Sequence, residues 1–392
     1  MSKSPVPHRR SAVLAATAAA LALTLGAGAT AAPAAAASAW PAVPQCAAGA
    51  DRGPDIAALA RELDALPDAV ATAATLRLDG DCAWSEADGT RNVRTGAPAL
   101  ENGRFRAGSV TKVVTAAVVL RLVAEGRISL DGTVQEYLPG LLTEDFGPIT
   151  VRQLLDYTSG LKVGAAQPGG SVDESYPHRF ETVTPEEVVA ASVAAGPEAP
   201  AGQLQRYGNI SYTVLGMVVE RVTGQSYARL AERLVFRPLG MRHSSFPAGT
   251  DPRVPGAHNR GYDVIDGKLT DVTEWNMADR WAAGDLISTA ADLERLIEGL
   301  FGGRLLPEPL LDQMLTVPEV EEGGARYGMA FERLPVGEVE YWVKSGSRPG
   351  YATAVVATRD LSRTLVYSVN ATDAKDDSGA VPQRFGLPAL RP

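Results

Sequence analysis

Val113 to Val123 reads VVTAAVVLRLV, apolar almost all the way round a helix. A helix with no polar stripe has no face to give to water, so it must run through the middle of a large core. Gly126 supplies its C-terminal stop. The run is headed by Ser109-Val110-Thr111-Lys112, inside the stretch Phe105 to Ala116. Serine and lysine three apart share one helix face, one turn apart. A charge at the head of a buried helix is costly unless something uses it. A serine hydroxyl is a weak nucleophile that needs a base, and a lysine amine is one once burial and neighbours lower its pKa. An N-cap serine followed by an exposed lysine has the same spacing, so the pair needs partners to mean chemistry.

The chain has 392 residues, 45% of them hydrophobic, enough for one large core or two domains. Residues 1–39 read as an export signal. Lys3, Arg9 and Arg10 form the charged start, an apolar run spans about Ala12 to Leu25, and small residues lead to Ala37-Ser38-Ala39. Cleavage is expected after Ala39, with Ala31 as the alternative. Arg9-Arg10 is a weak match to a twin-arginine signal. No later apolar run reaches the ~18 residues of a membrane span. A secreted, soluble monomer without a membrane anchor is therefore expected. The net charge is −9, and loss of Lys3, Arg9 and Arg10 takes it to −12. No basic stripe is visible, which argues against a nucleic-acid partner. Cys46 and Cys82 are the only cysteines, and outside the cytoplasm a disulfide between them is expected, stabilising by roughly 3–4 kcal/mol. His8, His178, His243 and His258 share no ligand spacing, so neither a metal nor a cofactor is expected.

Ile56, Leu59, Leu63 and Leu66 recur at helical spacing, and Pro67 is expected to end that helix. Thr72–Leu78 and Asp81–Asn92 read as strands around the Asp79-Gly80 turn. Helices are expected over Thr150–Ser159, Pro185–Ala194, Ser211–Thr223, Tyr227–Val235 and Ser288–Leu300. Glu338–Lys344, Tyr351–Thr358 and Thr364–Asn370 read as three further strands. Strands at both chain ends with helices between predict an α+β fold, one sheet built from both termini with a mostly helical insert. The catalytic unit is expected over 40–392. Its sheet part covers about 54–112 and 285–371, its helical region about 113–284, and 372–392 forms a loose tail.

Two more motifs stand where a Ser/Lys enzyme needs them. Tyr207-Gly208-Asn209 offers a proton-relay phenol and a carboxamide. Lys344-Ser345-Gly346 closes a strand with a cation and a hydroxyl able to hold an anion, and with a glycine that admits a substrate backbone. Taken in order, the three motifs resemble those of the serine β-lactamase and penicillin-binding DD-peptidase superfamily. The likeness is nearest to the class C β-lactamase and serine D-Ala-D-Ala carboxypeptidase branch. Leu154 to Leu161, Tyr207 to Thr223, Arg237 to Met241, Ala283 to Thr289 and Gly350-Tyr351 are similar to segments usual there, and the resemblance covers about residues 55–370. It implies an antiparallel sheet flanked by helices, joined to a helical region, with the site in the cleft between. The departures are Tyr157 where histidine is commoner, Gly208 where serine is usual, and Ser345 where threonine is commoner. A clear closing helix and the Glu-x-x-Leu-Asn segment of class A enzymes are also missing.

The resemblance implies acyl transfer through a serine ester. Ser109 is the nucleophile, Lys112 and Tyr207 the proton-transfer pair, and the backbone N–H groups of Ser109 and Ser347 the oxyanion hole. Asn209 would hold the substrate amide, and Lys344 and Ser345 its carboxylate. The leading expectation is a secreted D-alanyl-D-alanine carboxypeptidase acting on peptidoglycan-type peptides and binding β-lactams. A β-lactamase, an esterase, a D-amino-acid amidase and a non-catalytic wall-binding module are the alternatives. Arg348 reads as an exposed turn residue, Asp285 as a helix-start cap, and Trp275 and Trp281 as flanking a loop near the cleft.

Overall fold

The computed structural model describes residues 45–46, 54–69, 71–164, 171–372 and 380–390. The expected export signal lies outside them. In chain order the strands are β1 (Gln45–Cys46), β2 (Ala71–Gly80), β3 (Cys82–Asn92), β4 (Ala97–Pro98), β5 (Phe105–Arg106), β6 (Tyr262–Ile265), β7 (Lys268–Asp271), β8 (Ile287–Ser288), β9 (Glu332–Val336), β10 (Val339–Arg348), β11 (Tyr351–Thr358) and β12 (Arg363–Ala371). The main sheet runs β1-β3-β2-β12-β11-β10-β9, with β4 on β3, and its pairs are antiparallel. β2 pairs with β12, so the two ends of the chain meet in mid-sheet, as the strand pattern predicts.

The central strands are buried on both faces, every residue of YATAVVAT included, because helices cover each side. One face packs Leu59, Leu63 and Leu66 of the Ile56–Ala69 helix with Phe385 against Ala354, Val356 and Tyr367. The other face joins the larger core through Trp342, Val355 and Val366. The Thr111–Ala124 helix runs through that core, and each of its residues from Thr111 to Leu120 is buried. The apolar run at 113–123 therefore fixes the centre of the molecule.

Several expectations need correction. Residues 380–389, inside the stretch expected to be a loose tail, are instead helical and packed on the sheet. Val381, Phe385 and Ala389 recur every four residues. Pro382 falls in the first turn, where the missing N–H costs nothing, and together with Gly386 and Pro388 it hides the period. The first helix runs past Pro67 to Ala69. The helix at 150 spans only Val151–Leu155, because Tyr157 turns the chain with a φ of 64°. The Tyr227 helix gives way at Glu232–Phe236 to a π-helical turn. Between 289 and 331 the chain holds two helices and loops rather than strands, whereas β6 and β7 form a hairpin inside the region read as helical. Lys344–Gly346 does not close its strand, since β10 continues to Arg348 and turns at Pro349-Gly350. Cys82 is disulfide-bonded, and Cys46 stands opposite it across the β1–β3 pair. No helix among the described residues is long and apolar enough to cross a membrane.

Candidate active site

Ser109 sits in a short 3-10 turn, Gly108–Val110, that leads into the buried helix. Gly108 has a φ of 51°, and a Cβ there would come within 2.6 Å of the Ser347 nitrogen. The turn is thus pressed against β10. Thr111 pins it from the other side, donating through Oγ1 to the Gly108 carbonyl at 2.6 Å and accepting from the Leu286 amide at 3.0 Å.

Lys112 is fully buried. Its Nζ contacts Asn209 Oδ1 at 2.6 Å, the Ala283 carbonyl at 2.8 Å and Ser109 Oγ at 3.1 Å. An ammonium group would donate to all three. A neutral amine has only two N–H groups, and the two acceptors without a proton of their own take those. Its lone pair is left facing Ser109 Oγ, which is the geometry of a base. Burial lowers the Lys112 pKa to about 8; Tyr207 opposes that shift and Lys344 adds to it. Burial brings Lys344 down further, to about 7, with Glu332 opposing.

The Tyr207 ring lies between the two amines, its centroid 5.1 Å from Lys112 Nζ and 4.9 Å from Lys344 Nζ. It rests on Tyr157 and Tyr327, at centroid distances of 4.9 and 5.6 Å. Gln205 ties these pieces together. Its Nε2 donates to the carbonyls of Asp156 and Tyr327, each at 2.8 Å, and its Oε1 accepts from the amides of Arg326 and Tyr327. Tyr157 holds its place at the cost of a left-handed backbone, unusual for a bulky residue. Its ring supports the phenol, so Tyr157→Phe should keep turnover within about threefold of wild type. Tyr157→Ala should lower kcat by about tenfold or more. Steady-state kinetics on a p-nitrophenyl ester check both; equal rates for Ala and Phe would remove the ring from the account.

On β10, a Cβ at Gly346 would meet the Ala107 carbonyl at 2.1 Å and the Ser109 nitrogen at 2.8 Å. The Ser109 amide therefore lies against Gly346, and the Ser347 backbone against Gly108. Gly346→Ala must push the strand off the serine turn. The expected result is a loss of about 100-fold or more in the acylation rate, the scale of losing one oxyanion donor, read from the burst phase of ester hydrolysis. At Gly208 a Cβ would touch only Ile210 Cγ2, at 3.7 Å, so the usual serine is not excluded by space.

The structure thus brings Ser109, Lys112, Tyr207, Asn209, Lys344, Ser345, Gly346 and Ser347 to one place. Ser109, Tyr207, Tyr327, Glu332, Lys344 and Ser345 are among the residues that line a cleft of about 340 Å³. Asn209 has its Oδ1 committed to Lys112, so any substrate contact falls to its Nδ2. Arg348 is not an exposed turn residue; its side chain is 10% exposed, 3.9 Å from Asp279, with Nε 3.1 Å from Met277 Sδ. Asp285 caps no helix, since Thr289 caps the next one, and burial raises its pKa to about 8. Trp281 lines a different cavity, as does Trp275. Sequence reasoning missed Gln205, Tyr327, Glu332 and the Ala283 carbonyl. None stands in a recognisable triplet, and a main-chain acceptor has no sequence signature.

The Beta-lactamase family model matches residues 56–385. Esterase EstB from Burkholderia gladioli is 33% identical over 222 residues, 53% of this chain and 56% of the relative. Penicillin-binding protein 4 from Amycolatopsis lactamdurans is 32% identical over 226 residues, 56% of each. The chain thus spans just over half the length of these two curated relatives. Among solved structures, a D-stereospecific amidohydrolase from Streptomyces sp. superposes with a TM-score of 0.73 at 31% identity, covering 85% of this chain and 99% of that one. The D-amino acid amidase of Ochrobactrum anthropi SV3 reaches 0.72 over 86% and 98%, a likeness of fold at 24% identity.

Proposed function

This chain belongs to the β-lactamase family and is a serine hydrolase, and from that premise we propose that it hydrolyses small D-configured amides through an acyl ester on Ser109. Ser109 Oγ attacks the carbonyl carbon as its proton passes to neutral Lys112. The oxyanion is held by the Ser109 and Ser347 amides. Collapse expels the amine, which takes a proton from Lys112 by way of the Tyr207 hydroxyl. Water then attacks the ester carbonyl, gives up a proton by the same route, and Ser109 regains its own. If residues 1–39 export the chain, the substrate is met outside the cytoplasm.

The observation that carries the amide over the carboxypeptidase reading is the charge inside the cleft. Among the described residues lining it, Lys344 is the one cation and Glu332 the one carboxylate. A free C-terminal carboxylate needs Lys344 charged. Burial pushes the pKa of that amine down to about 7, so holding a carboxylate carries the cost of keeping a buried ammonium charged, and Glu332 repels the anion. A neutral amide meets neither obstacle. The overall match to the Streptomyces D-stereospecific amidohydrolase supports the same order. The carboxypeptidase reading keeps the support of Lys344-Ser345-Gly346 and of the penicillin-binding relative. A panel of D-phenylalanine amide, a D-Ala-D-Ala tripeptide, that tripeptide's C-terminal amide, nitrocefin and a p-nitrophenyl ester separates the readings. The tripeptide amide should be cleaved faster than the free acid. Faster cleavage of the acid would restore the carboxypeptidase, and dominant nitrocefin turnover would make the protein a β-lactamase.

A further inference from the structure

We infer that the Glu332 carboxylate is the anchor for a substrate ammonium group, so that the cleft selects acyl donors carrying a free amine, as an unblocked amino-acid amide does. The inference rests on the acyl-hydrolase reading of the same cleft.

Glu332 opens β9 opposite Val343, one residue before Lys344 in β10. Its place is enforced rather than incidental. Tyr327 and Glu332 are bridged across a tight turn, in which the Gly328 amide donates to the Phe331 carbonyl at 2.9 Å. Ala330 in that turn has a φ of 72°, a strained backbone for an L residue that the surroundings must impose. The Met329 amide donates to the Met314 carbonyl at 2.8 Å, and Gln205 clamps the Arg326–Tyr327 end to the Tyr207 segment. The carboxylate is therefore carried by a rigid turn on the same wall as Tyr207.

The Glu332 side chain is 31% exposed, and its ion-pair partner Arg326 is 68% exposed, at 3.3 Å. An exposed arginine contributes little to holding such a pair, so the carboxylate can take a second cation from the cleft side. Tyr207 and Tyr327 line the same cleft, and their rings already attract cations, with Lys344 Nζ 4.9 Å from one centroid and the Arg326 guanidinium 5.1 Å from the other. Lys344 does not fill that role completely, because its Nζ already donates to the Ser345 carbonyl at 2.7 Å. A bound ammonium would pair with Glu332 against the tyrosine rings, and its acyl carbon would extend toward Ser109.

The test uses the full-length enzyme with p-nitrophenyl butyrate as a neutral reporter substrate. D-Phenylalanine amide and N-acetyl-D-phenylalanine amide compete for the cleft at pH 7, where an α-amino group is still mostly charged. Wild type should be inhibited by the free amine at about tenfold lower concentration than by the acetylated form, the scale of one charged hydrogen bond. Glu332→Gln should bring that ratio to about one, and Glu332→Asp should keep most of it. Each variant supplies its own control, since only the ratio is read. Equal inhibition by the two amides in wild type, or an unchanged ratio in Glu332→Gln, overturns the inference. Calorimetric titration of the same two amides reads the ratio without turnover. A protein that binds the amine selectively but cleaves nothing would defeat the hydrolase reading and leave the anchor standing.

Discussion

Ser109→Ala should abolish covalent labelling by a fluorescent penicillin and lower ester turnover by about a million-fold, the scale seen when a serine nucleophile is removed. The expectation follows from how little else in the cleft can form an acyl bond. Ser345 and Ser347 line it as well, but among the described residues the buried amine that faces a hydroxyl with a usable lone pair is Lys112, and that hydroxyl is Ser109 Oγ. A hydroxyl without a base at neutral pH is a poor nucleophile. The Ser109 side chain contributes one hydrogen bond to the fold, so the variant should unfold within a few degrees of wild type. Peptide mapping of the wild-type adduct by mass spectrometry should place the added mass on the peptide containing residue 109. A labelled Ser109→Ala protein, or an adduct mapped elsewhere, would remove Ser109 from the mechanism.

How much of this was legible in the sequence divides along physical lines. The buried helix and its Ser/Lys head were legible because both are local: an apolar run and a spacing of three carry their meaning within one turn of chain. The strands of the sheet were legible for the same reason, since β-branched runs such as TAVVAT in β11 declare themselves. The closing helix at 380–389 was not, because two prolines and a glycine mask its four-residue period, and only the tertiary packing of Phe385 makes up for them. Among the site residues, those in short motifs were found. Gln205 and Glu332 were not, since their role depends on pairings over 122 residues of separation in one case and on the strand register of β9 with β10 in the other. Asn209 was found, but its contact with Lys112 was not. A carboxamide can face a substrate or a lysine, and only the Lys112 contact at 2.6 Å decides how its oxygen is used.

Lys112→Ala should slow acylation by about 100- to 10,000-fold, the usual contribution of a positioned base, and Lys112→Arg should do no better because a guanidinium stays protonated. The pH dependence tests the same residue in the intact enzyme. A base acts when deprotonated, and burial has brought the Lys112 pKa down to about 8. The kcat/KM for a neutral amide should therefore climb about tenfold per pH unit from 6 and level off above about 8. A substrate with a free carboxylate adds an opposite demand, since Lys344 must be charged and its pKa is about 7. The two demands oppose each other, although a charged Lys344 itself helps to keep Lys112 neutral. The acid substrate should thus show a bell peaking between pH 7 and 8, while an amide whose amine is acetylated, and so does not titrate, shows a single rise. The ratio of amide to acid turnover should keep growing above pH 8. Glu332→Gln sharpens the contrast, because removing the carboxylate that supports the Lys344 charge moves the alkaline limb of the acid profile to lower pH. An amide profile that is flat between pH 6 and 8 would mean that Lys112 is not the titrating base. Identical profiles for amide and acid would mean that Lys344 does not hold the carboxylate.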